Sequence, residues 1–331
     1  MYDEIEGVEN SIEEVKNRLL DLPAVLIQQD GVGPHAKTGS AIAPCSPGKN
    51  WRCAAGDFVV KYVSANDAIG GPRPAARKEE WTLKDFRQEL YENGYFRQEE
   101  FGFADCDRYQ RARVSGLLNK AAAYAGYDYN ARGLTHDVLF EMGEVFLLSR
   151  LAMRIHKIPM AGEVLDIATY ENGAKGAHMQ RIYEMKDESG AARVSVKSDW
   201  ILVNPATRKI MRPSAFTAKP LLTCDRVLDC PDPKKILLPK EGIEDLGTRN
   251  VVWSDLDGNG HVYSANYGDI IWDYLPPELQ EQTPREFYIN YSHEAVFGEE
   301  LRLMGFRNAD GSYLMEGLAP RGTCFTALCV F

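Results

Sequence analysis

The sequence predicts an α+β protein in which an antiparallel sheet wraps a central helix, and it predicts this unit twice along the chain. In the first copy the acidic turn Asp105-Cys-Asp107 precedes an apolar run with helical spacing, and at least three strand segments follow. In the second copy the acidic turn Asp255-Leu-Asp257 begins the same order of elements at shorter length. A helix and an antiparallel meander each have one apolar side, and packing those sides together buries both.

The composition is that of a globular protein of about two domains. The chain has 331 residues, of which 44% are hydrophobic, so it can build sizeable cores. Its 48 acidic and 38 basic residues give a net charge of -10, which disfavours non-specific binding to nucleic acid or to an anionic membrane. Seven cysteines without a Cys-x-x-Cys spacing indicate reduced thiols. With no leader-like start and no apolar segment of about 18 residues, we expect a cytosolic protein that does not span a membrane.

The first 94 residues carry weaker signals, and we assign no role to them. Apolar spacing predicts a helix over Glu4–Leu20, and Gly, Pro, Ser and Ala residues predict loops from Asp30 to Gly56. Phe58–Val63 has the character of a strand. A capping signal at its start predicts a helix over Leu83–Glu92, closed by Gly94.

The elements predicted beyond this region follow the two copies in order. The first copy has a strand near Tyr95–Phe103 and a helix whose apolar side holds Val114, Leu117, Leu118, Ala121 and Ala125. Its later strands cover Val145–Ile155, Glu163–Glu171, Ala177–Lys186 and Val194–Val203, with a hairpin turn at residues 187–190. The second copy has a strand at Asn250–Trp253, a helix to about Tyr274, and strands over residues 286–294, 299–307, 312–318 and 323–330. We therefore expect an N-terminal region over residues 1–94, a first sheet-and-helix domain over 95–215 and a second over 216–331.

The duplication can be checked residue by residue. A shift of 150 residues aligns the two acidic turns and places Leu117 on Tyr267 without a gap. A shift of 136 residues then places residues 162–167 on residues 298–303. The two shifts differ by 14 residues, which places a longer connection between helix and strand in the first copy, around residues 127–142.

The second acidic turn has the composition of an active site. Residues 255–267 hold two acids, two amides, an imidazole and two glycines ahead of an apolar helical run. Two other interpretations apply to such a string: a tight turn, in which Asp, Asn and Gly serve conformation alone, and a calcium loop. A calcium loop that used Asp255, Asp257 and Asn259 would need a bidentate Glu at its twelfth position, where Asn266 stands. We therefore discount calcium.

These residues resemble a known family. The string Asp255-Leu-Asp-Gly-Asn-Gly-His-Val262, with Tyr267 and Leu275-Pro276 after it, closely resembles the motif of the acyl-acyl carrier protein thioesterases of plants and bacteria. Similar residues in the first half are Ser149-Arg150, Lys175-Gly176, Arg181, the run from Trp200 to Arg208, and Arg212-Pro213. The resemblance extends over residues 95–331 and implies a tandem hot-dog fold, two sheet-wrapped helices in one chain. It also implies hydrolysis of a fatty acyl thioester carried on acyl carrier protein.

The resemblance assigns the catalytic acid, amide and imidazole to Asp257, Asn259 and His261, and a glutamate borne on a strand to Glu294. Thioester hydrolysis needs a base for water and donors for the developing oxyanion, with no need for a metal or cofactor. Glu294 is the preferred base, Asn259 and His261 position the water or the carbonyl oxygen, and Asp257 orients them. A helix that begins just after His261 would point its free backbone N–H groups and its dipole at the turn, where the thioester carbonyl gains negative charge.

The sequence departs from the family pattern at two places. The Asn-Asn pair usual after His-Val is Tyr263-Ser264, which puts substrate contacts at the start of the helix in question. A cysteine that follows the glutamate in plant members is Ala295, which weighs against a thiol nucleophile and favours direct attack by water.

The repeat indicates a single active site. The first copy has Tyr109, Arg111 and Ile158 where the second copy has its amide, imidazole and glutamate. The first half therefore keeps the acidic turn and lacks the chemistry, and we expect it to shape the acyl pocket.

An acidic carrier protein would need clustered cations near the mouth of the pocket, because this chain is itself acidic. The candidates for such carrier docking are Lys175, Arg181, Lys197, Arg208, Lys209 and Arg212. Acyl-CoA would use similar cations for its phosphates, so a hot-dog thioesterase or hydratase acting on coenzyme A esters is an alternative. A non-catalytic acyl-binding or assembly protein, with partner contacts in residues 1–94, is another.

Overall fold

The computed structural model describes residues 85–331 and three short strands nearer the N-terminus. The chain divides into two compact units, Met1–Leu83 and Lys84–Phe331. In the first unit, β1 (Val25–Gln29) and β2 (Trp51–Arg52) both pair antiparallel with β3 (Phe58–Tyr62). The strand predicted at Phe58–Val63 is confirmed as β3, whereas the helix predicted over residues 4–20 lies outside the described residues.

The second unit contains four helices and twelve strands among its described residues. The helices are α1 (Val114–Ala131), α2 (His136–Glu141), α3 (Asn266–Tyr274) and α4 (Pro277–Gln280). The strands of the first half are β4 (Gln88–Tyr91), β5 (Gly94–Glu100), β6 (Val145–Ile155), β7 (Val164–Lys175), β8 (His178–Lys186), β9 (Ala192–Asn204) and β10 (Lys209–Met211). Those of the second half are β11 (Glu244–Asn250), β12 (Glu286–Tyr291), β13 (Glu300–Arg307), β14 (Tyr313–Ala319) and β15 (Gly322–Val330). Among the described residues, no helix combines the length and apolar character needed to cross a bilayer.

All the strands of this unit belong to one antiparallel sheet that runs through both halves. Its order is β11-β13-β14-β15-β12-β6-β9-β8-β7-β5-β4, with β10 paired to β9. The halves join where β12 pairs with β6, in a register that sets Ile289 opposite Leu151. Because the join is made by backbone hydrogen bonds, the two halves are held edge to edge.

Both central helices bury their apolar sides against this sheet. The predicted apolar face of α1 is confirmed, since Leu117 is fully buried and its companions are nearly so. α1 and α3 also contact each other, and both contribute to one core that includes Leu117, Ile271 and Phe325. Each fully buried Leu or Ile stabilises such a core by about 1.5–3 kcal/mol relative to leaving it exposed.

The duplication is visible in individual hydrogen bonds. A carboxylate oxygen of Glu163 accepts the N–H of Met160 at 2.9 Å, and Glu299 accepts the N–H of Val296 at 3.0 Å, at positions 136 residues apart. Both acidic turns pass through a short 3₁₀ turn whose last residue is the first Asp. The extra length of the first copy is taken up by the extension of α1 and by α2.

One predicted helix is wrong. Residues 88–91 and 94–100 form the hairpin of β4 and β5, with Tyr91 opposite Gly94, in place of a helix over Leu83–Glu92. Gly94 has to be glycine, because a Cβ there would lie 2.1 Å from the carbonyl oxygen of Thr169 on β7. The pairing of β4 with β5, which is itself paired with β7, therefore decides the conformation against the local capping signal.

Two strand boundaries also differ from prediction. The strand expected at Asn250–Trp253 lies earlier, as β11, because the carboxylate of Asp255 accepts the N–H of Val252 and curls the chain into a 3₁₀ turn. The strand expected to reach residue 294 ends at Tyr291. Glu294 is therefore carried by the loop beyond the strand.

The connection from β10 to β11 contains no helix or strand after its first residues and packs along the sheet. Leu228 and Cys230 bury themselves against Phe96 and Tyr170 of the first half. Farther along, the N–H of Ile236 donates to the side chain of Asn290 in the second half. The connection thus covers part of the sheet in both halves.

Candidate active site

An imidazole and a carboxylate meet where the second acidic turn faces the loop after β12. Nε2 of His261 lies 3.4 Å from Oε2 of Glu294, and their side chains are 27% and 37% exposed. The turn and the loop are held together by a backbone bridge between His261 and Val296 and by the N–H of Val262, which donates to the carbonyl of Ala295. Two predicted site residues are thus brought into contact, at a place that solvent reaches.

Asp257 shapes the turn that presents the imidazole. Its Oδ1 accepts the backbone N–H of Asn259 at 2.8 Å and that of His261 at 3.3 Å. The turn closes with the N–H of Gly260 on the carbonyl of Asp257, and Gly260 has a positive φ of 79°. Asp257 therefore orients its neighbours through their backbone, and its carboxylate makes no bond to their side chains.

Asn259 lies at the exposed tip of the same turn. Within residues 85–331, its side-chain amide forms no hydrogen bond to His261 or Glu294. The amide is thus free to meet a substrate atom or a water.

The helix after the turn begins later than expected. α3 starts at Asn266, and the N–H groups of His261, Val262 and Tyr263 are already bonded to Asp257, Ala295 and Asp255. The backbone is nevertheless helical at Ala265, and the N–H groups of Ser264 and Ala265 have no acceptor in the part of the chain that the structure describes. These two groups are the free donors of the helix start.

The first half supplies a cation to this site. Nη2 of Arg208, in the turn between β9 and β10, lies 3.7 Å from Oε2 of Glu294. Asn204 holds that turn, because its carbonyl accepts the N–H of Arg208 at 2.8 Å and its side chain accepts the N–H of Thr207 at 3.0 Å. Arg208 adopts a positive φ of 56°, which is uncommon outside glycine. The sequence marked Arg208 only as a carrier-docking cation, although its place just after an Asn-Pro turn pointed to an unusual backbone.

The corresponding turn of the first half has no such chemistry. Arg111 stands where His261 stands and is bonded to Asp107, with Nη2 and Oδ2 2.8 Å apart, and to the carbonyl of Glu281. Ile158 stands where Glu294 stands.

A cavity of about 300 Å³ opens in the first half beside α1. Its wall is mostly apolar, with residues from α1, α2 and strands β6 to β9. The side chains along it include Ala122, Ala125, Gly126, Tyr129, Leu134, Leu139, Phe146, Met179, Trp200 and Leu221. An apolar cavity of this kind suits a hydrocarbon chain.

One of the predicted docking cations is wrong. Arg181 is 4% exposed and forms ion pairs with Asp128 at 2.9 Å and Glu171 at 3.5 Å, so it cannot reach a partner. Lys197 is engaged with Asp232 at 2.8 Å. The other candidates, Lys175, Arg208, Lys209 and Arg212, are exposed.

The calcium interpretation is also excluded by geometry. Both carboxylate oxygens of Asp255 accept hydrogen bonds from Arg249, at 2.7 and 2.8 Å. Burial by itself would raise the pKa of Asp255, but the bonds from Arg249 and from the N–H of Val252 outweigh it and lower the pKa. Asp255 thus anchors the turn to β11 and has no oxygen left for a cation.

Two sheet-wrapped helices in one chain, with their strands joined in one antiparallel sheet, define the tandem hot-dog class. Residues 92–215 match the acyl-ACP thioesterase N-terminal domain, and residues 244–315 match the acyl-ACP thioesterase C-terminal domain. The chain belongs to the acyl-ACP thioesterase family.

Individual relatives are distant. The chain is 24% identical over 169 residues to the chloroplastic palmitoyl-acyl carrier protein thioesterase of Arabidopsis thaliana. This match covers 47% of this chain and 40% of the relative. It is 23% identical over 150 residues to the chloroplastic oleoyl-acyl carrier protein thioesterase 1 of the same plant. That match covers 41% of this chain and 40% of the relative. The matches thus span less than half the length of either relative.

Solved structures share the fold over a larger part of the chain. An acyl-ACP thioesterase from Bacteroides thetaiotaomicron aligns with a TM-score of 0.66 at 24% identity, covering 72% of this chain and 97% of that one. The 12:0-ACP thioesterase from Umbellularia californica aligns with a TM-score of 0.60 at 15% identity, covering 73% of this chain and 98% of that one.

Proposed function

We propose that the protein hydrolyses acyl thioesters of acyl carrier protein and releases the free fatty acid. The observation that carries this proposal is the contact between His261 and Glu294 at 3.4 Å, formed in the second half only and set on the turn that Asp257 shapes. Family membership supports the class of substrate.

In the proposed mechanism, Glu294 accepts a proton from a water molecule while the water oxygen attacks the thioester carbonyl. The carbonyl oxygen gains a negative charge, and the free N–H groups of Ser264 and Ala265 are the available donors for it. The tetrahedral intermediate then breaks its C–S bond. The thiolate of the carrier takes up the proton that Glu294 received, and the acid product and the free carrier leave.

His261 and Asn259 act as positioning groups in this mechanism. His261 contacts Oε2 of Glu294 and so holds the carboxylate that takes the proton. Asn259, at the exposed tip of the turn, is free to bond the water or the carbonyl oxygen. Asp257 acts on both residues through the backbone of the turn.

The cavity beside α1 is the proposed acyl site. Its lining is mostly apolar, and burying methylenes in such a site favours binding by about 0.8 kcal/mol for each one. The exposed cations Lys209 and Arg212 follow Arg208 along β10 and its end, and Arg208 lies against Glu294. A negatively charged carrier that docked on these cations would bring its arm to the catalytic pair.

Steady-state hydrolysis of acyl carrier protein and coenzyme A thioesters tests the proposal. Glu294→Gln should lower kcat by about 10²–10⁴-fold, because it removes the base and keeps the shape. Glu300→Gln, at an exposed glutamate on β13, is the matched control and should leave kcat unchanged. His261→Gln should also lower kcat, whereas the exposed neighbour His293→Gln should not.

Several results would contradict the proposal. Undiminished hydrolysis by Glu294→Gln and His261→Gln would exclude the site. Hydrolysis of coenzyme A esters without preference for the carrier protein would exclude the proposed carrier. An absence of hydrolysis with either substrate would favour an acyl-binding protein.

A further inference from the structure

We propose that Tyr263 is a specificity gate, which stands between the catalytic pair and the apolar cavity and limits the entry of long acyl chains. The inference rests on the proposed function and goes beyond it by naming the residue that selects among substrates. Its starting point is one contact between the halves: the hydroxyl of Tyr263 donates to Oδ1 of Asn119 on α1 at 3.0 Å.

The position of Asn119 on α1 relates this contact to the cavity. Asn119, Ala122, Gly126 and Asn130 are spaced by three, four and four residues, so they share one side of the helix. The last three of them line the cavity. Three residues, a rise of about 4.5 Å along the helix, therefore separate the bond to Tyr263 from the first helix residue of the cavity wall.

Tyr263 also lies near the catalytic pair in the sequence. It follows His261 by two residues, and its N–H is bonded to the carbonyl of Asp255 in the turn. Burial raises the pKa of the Tyr263 phenol, and the nearby carboxylate of Asp257 raises it further. The ring is thus packed between the turn and α1, with its hydroxyl fixed as a donor.

The internal repeat supports the same path. The shift of 150 residues that aligns the acidic turns places Arg113 on Tyr263 and Asp269 on Asn119. These two residues also meet across the halves, with Nη1 of Arg113 and Oδ2 of Asp269 3.2 Å apart. The contact between turn and opposite helix is therefore a feature of both copies.

Beside the turn of the first copy, this contact lies in the wall of a cavity of about 390 Å³ that residues of both halves line. The same cavity is lined by Arg111, Ile158 and Trp272, which occupy the positions of the catalytic pair and of Ala122. One open space thus joins the catalytic position to the helix beyond it, past the paired residues. At the equivalent place in the second copy, Tyr263 bonds to Asn119 across the two halves, and we infer that its ring occupies the corresponding passage.

A ring across the passage discriminates by chain length. A short acyl chain bound at the catalytic pair ends before the ring, whereas a long chain has to displace the ring and break its bond to Asn119 before it fills the cavity. Displacement costs the long chain part of its binding free energy, so the wild-type protein favours shorter chains than the cavity alone would accept.

The test compares thioesters of eight-carbon and sixteen-carbon acyl chains on acyl carrier protein. Tyr263→Ala should raise the ratio of kcat/KM for the long chain over the short chain by about tenfold or more. Asn119→Ala, at an exposed helix position where Ala is well tolerated, should raise the ratio in the same direction by a smaller factor. Tyr274→Ala is the matched control. The Tyr274 hydroxyl, on α3, donates to the carbonyl of Thr248 on β11, away from Asn119, so this variant should leave the ratio unchanged.

Equilibrium binding of free fatty acids of the same two lengths gives a readout that needs no hydrolysis. Tyr263→Ala and Asn119→Ala should both strengthen binding of the long acid relative to the short one. If the wild-type protein hydrolyses neither thioester, the proposed function fails while the binding series still tests the gate. Ratios unchanged from wild type in both variants, in hydrolysis and in binding, would overturn the gate.

Discussion

Arg208 and Glu294 come from different halves of the chain, and Nη2 of the first lies 3.7 Å from Oε2 of the second. The same carboxylate oxygen also contacts His261. The candidate site is therefore completed by the first half, although every residue that the family motif assigns to catalysis lies in the second. Because both halves belong to one chain, the first half can contribute Arg208 to the site of the second half without keeping the same residues in its own turn.

We predict that Arg208 aids catalysis without stabilising the fold. Its side chain is 77% exposed, so the pair with Glu294 adds about 0–1 kcal/mol to the free energy of unfolding. Arg208→Gly should lower kcat by about tenfold, since the carboxylate loses a contact that orients it. The same change should leave the free energy of unfolding in urea equal or higher, because glycine adopts the positive φ without strain. Arg208→Lys should retain most of kcat. A glycine variant with wild-type kcat would contradict this role.

We predict that both turn aspartates stabilise their turns and that only Asp257 aids catalysis. Asp107 accepts the N–H groups of Tyr109 and Arg111, as Asp257 accepts those of Asn259 and His261. Replacement of either by Ala should lower the free energy of unfolding by about 1–3 kcal/mol, because each turn loses two hydrogen bonds to a charged acceptor.

Only Asp257→Ala should also lower kcat substantially, since only that turn carries the imidazole. Unfolding curves and steady-state rates of both variants provide the check. Equal loss of hydrolysis in Asp107→Ala would show that the effect is one of general stability.

We predict a pH-dependent contribution from Asp255. Its pKa is lowered in the folded state, so its bonds to Arg249 stabilise the protein above the unfolded pKa of about 3.9 and are lost as the pH falls through the folded value. The difference in free energy of unfolding between wild type and Asp255→Asn should be constant from about pH 5 to 7 and shrink below about pH 4. Urea unfolding of both proteins across this range measures it. A difference that grows toward acid pH would have the wrong sign.

We predict that Lys209 and Arg212 serve the carrier protein. Their replacement by Ala should raise KM for acyl carrier protein thioesters and leave the rate with a small soluble thioester unchanged, because rim charges act on encounter with the partner. The effect should weaken as salt is added. Lys197→Ala is the control, since its cation is already paired with Asp232. A KM that rises equally for the small thioester would place the two cations at the catalytic pair instead.

The elements that the sequence predicted well are those whose burial is periodic. The α1 face from Val114 to Ala125 was predictable, because one side of that helix is buried by whatever packs against it. The helix over Leu83–Glu92 failed for the opposite reason. Its described residues are largely exposed, and those of β4 pair with β5, which in turn is held by β7 from a distant part of the chain.

The candidate site divides in the same way. Its turn was recognisable because Asp257, Asn259 and His261 are close in sequence and their spacing sets the turn's own hydrogen bonds. Three other features were not recognisable, because each joins segments distant in the chain. They are the contact of Arg208 with Glu294, the burial of Arg181 against Asp128, and the bond from Tyr263 to Asn119.

The sequence by itself determined the duplicated architecture and the family and marked the candidate turn, since these depend on periodicity and on spacing within short segments. Tertiary structure alone decided which groups meet across the halves. Pairing of β12 with β6 sets the two halves edge to edge, and the packing of α1 on α3 and its turn sets Asn119 against Tyr263. Such contacts follow from the register of a whole sheet, which no local pattern of residues records.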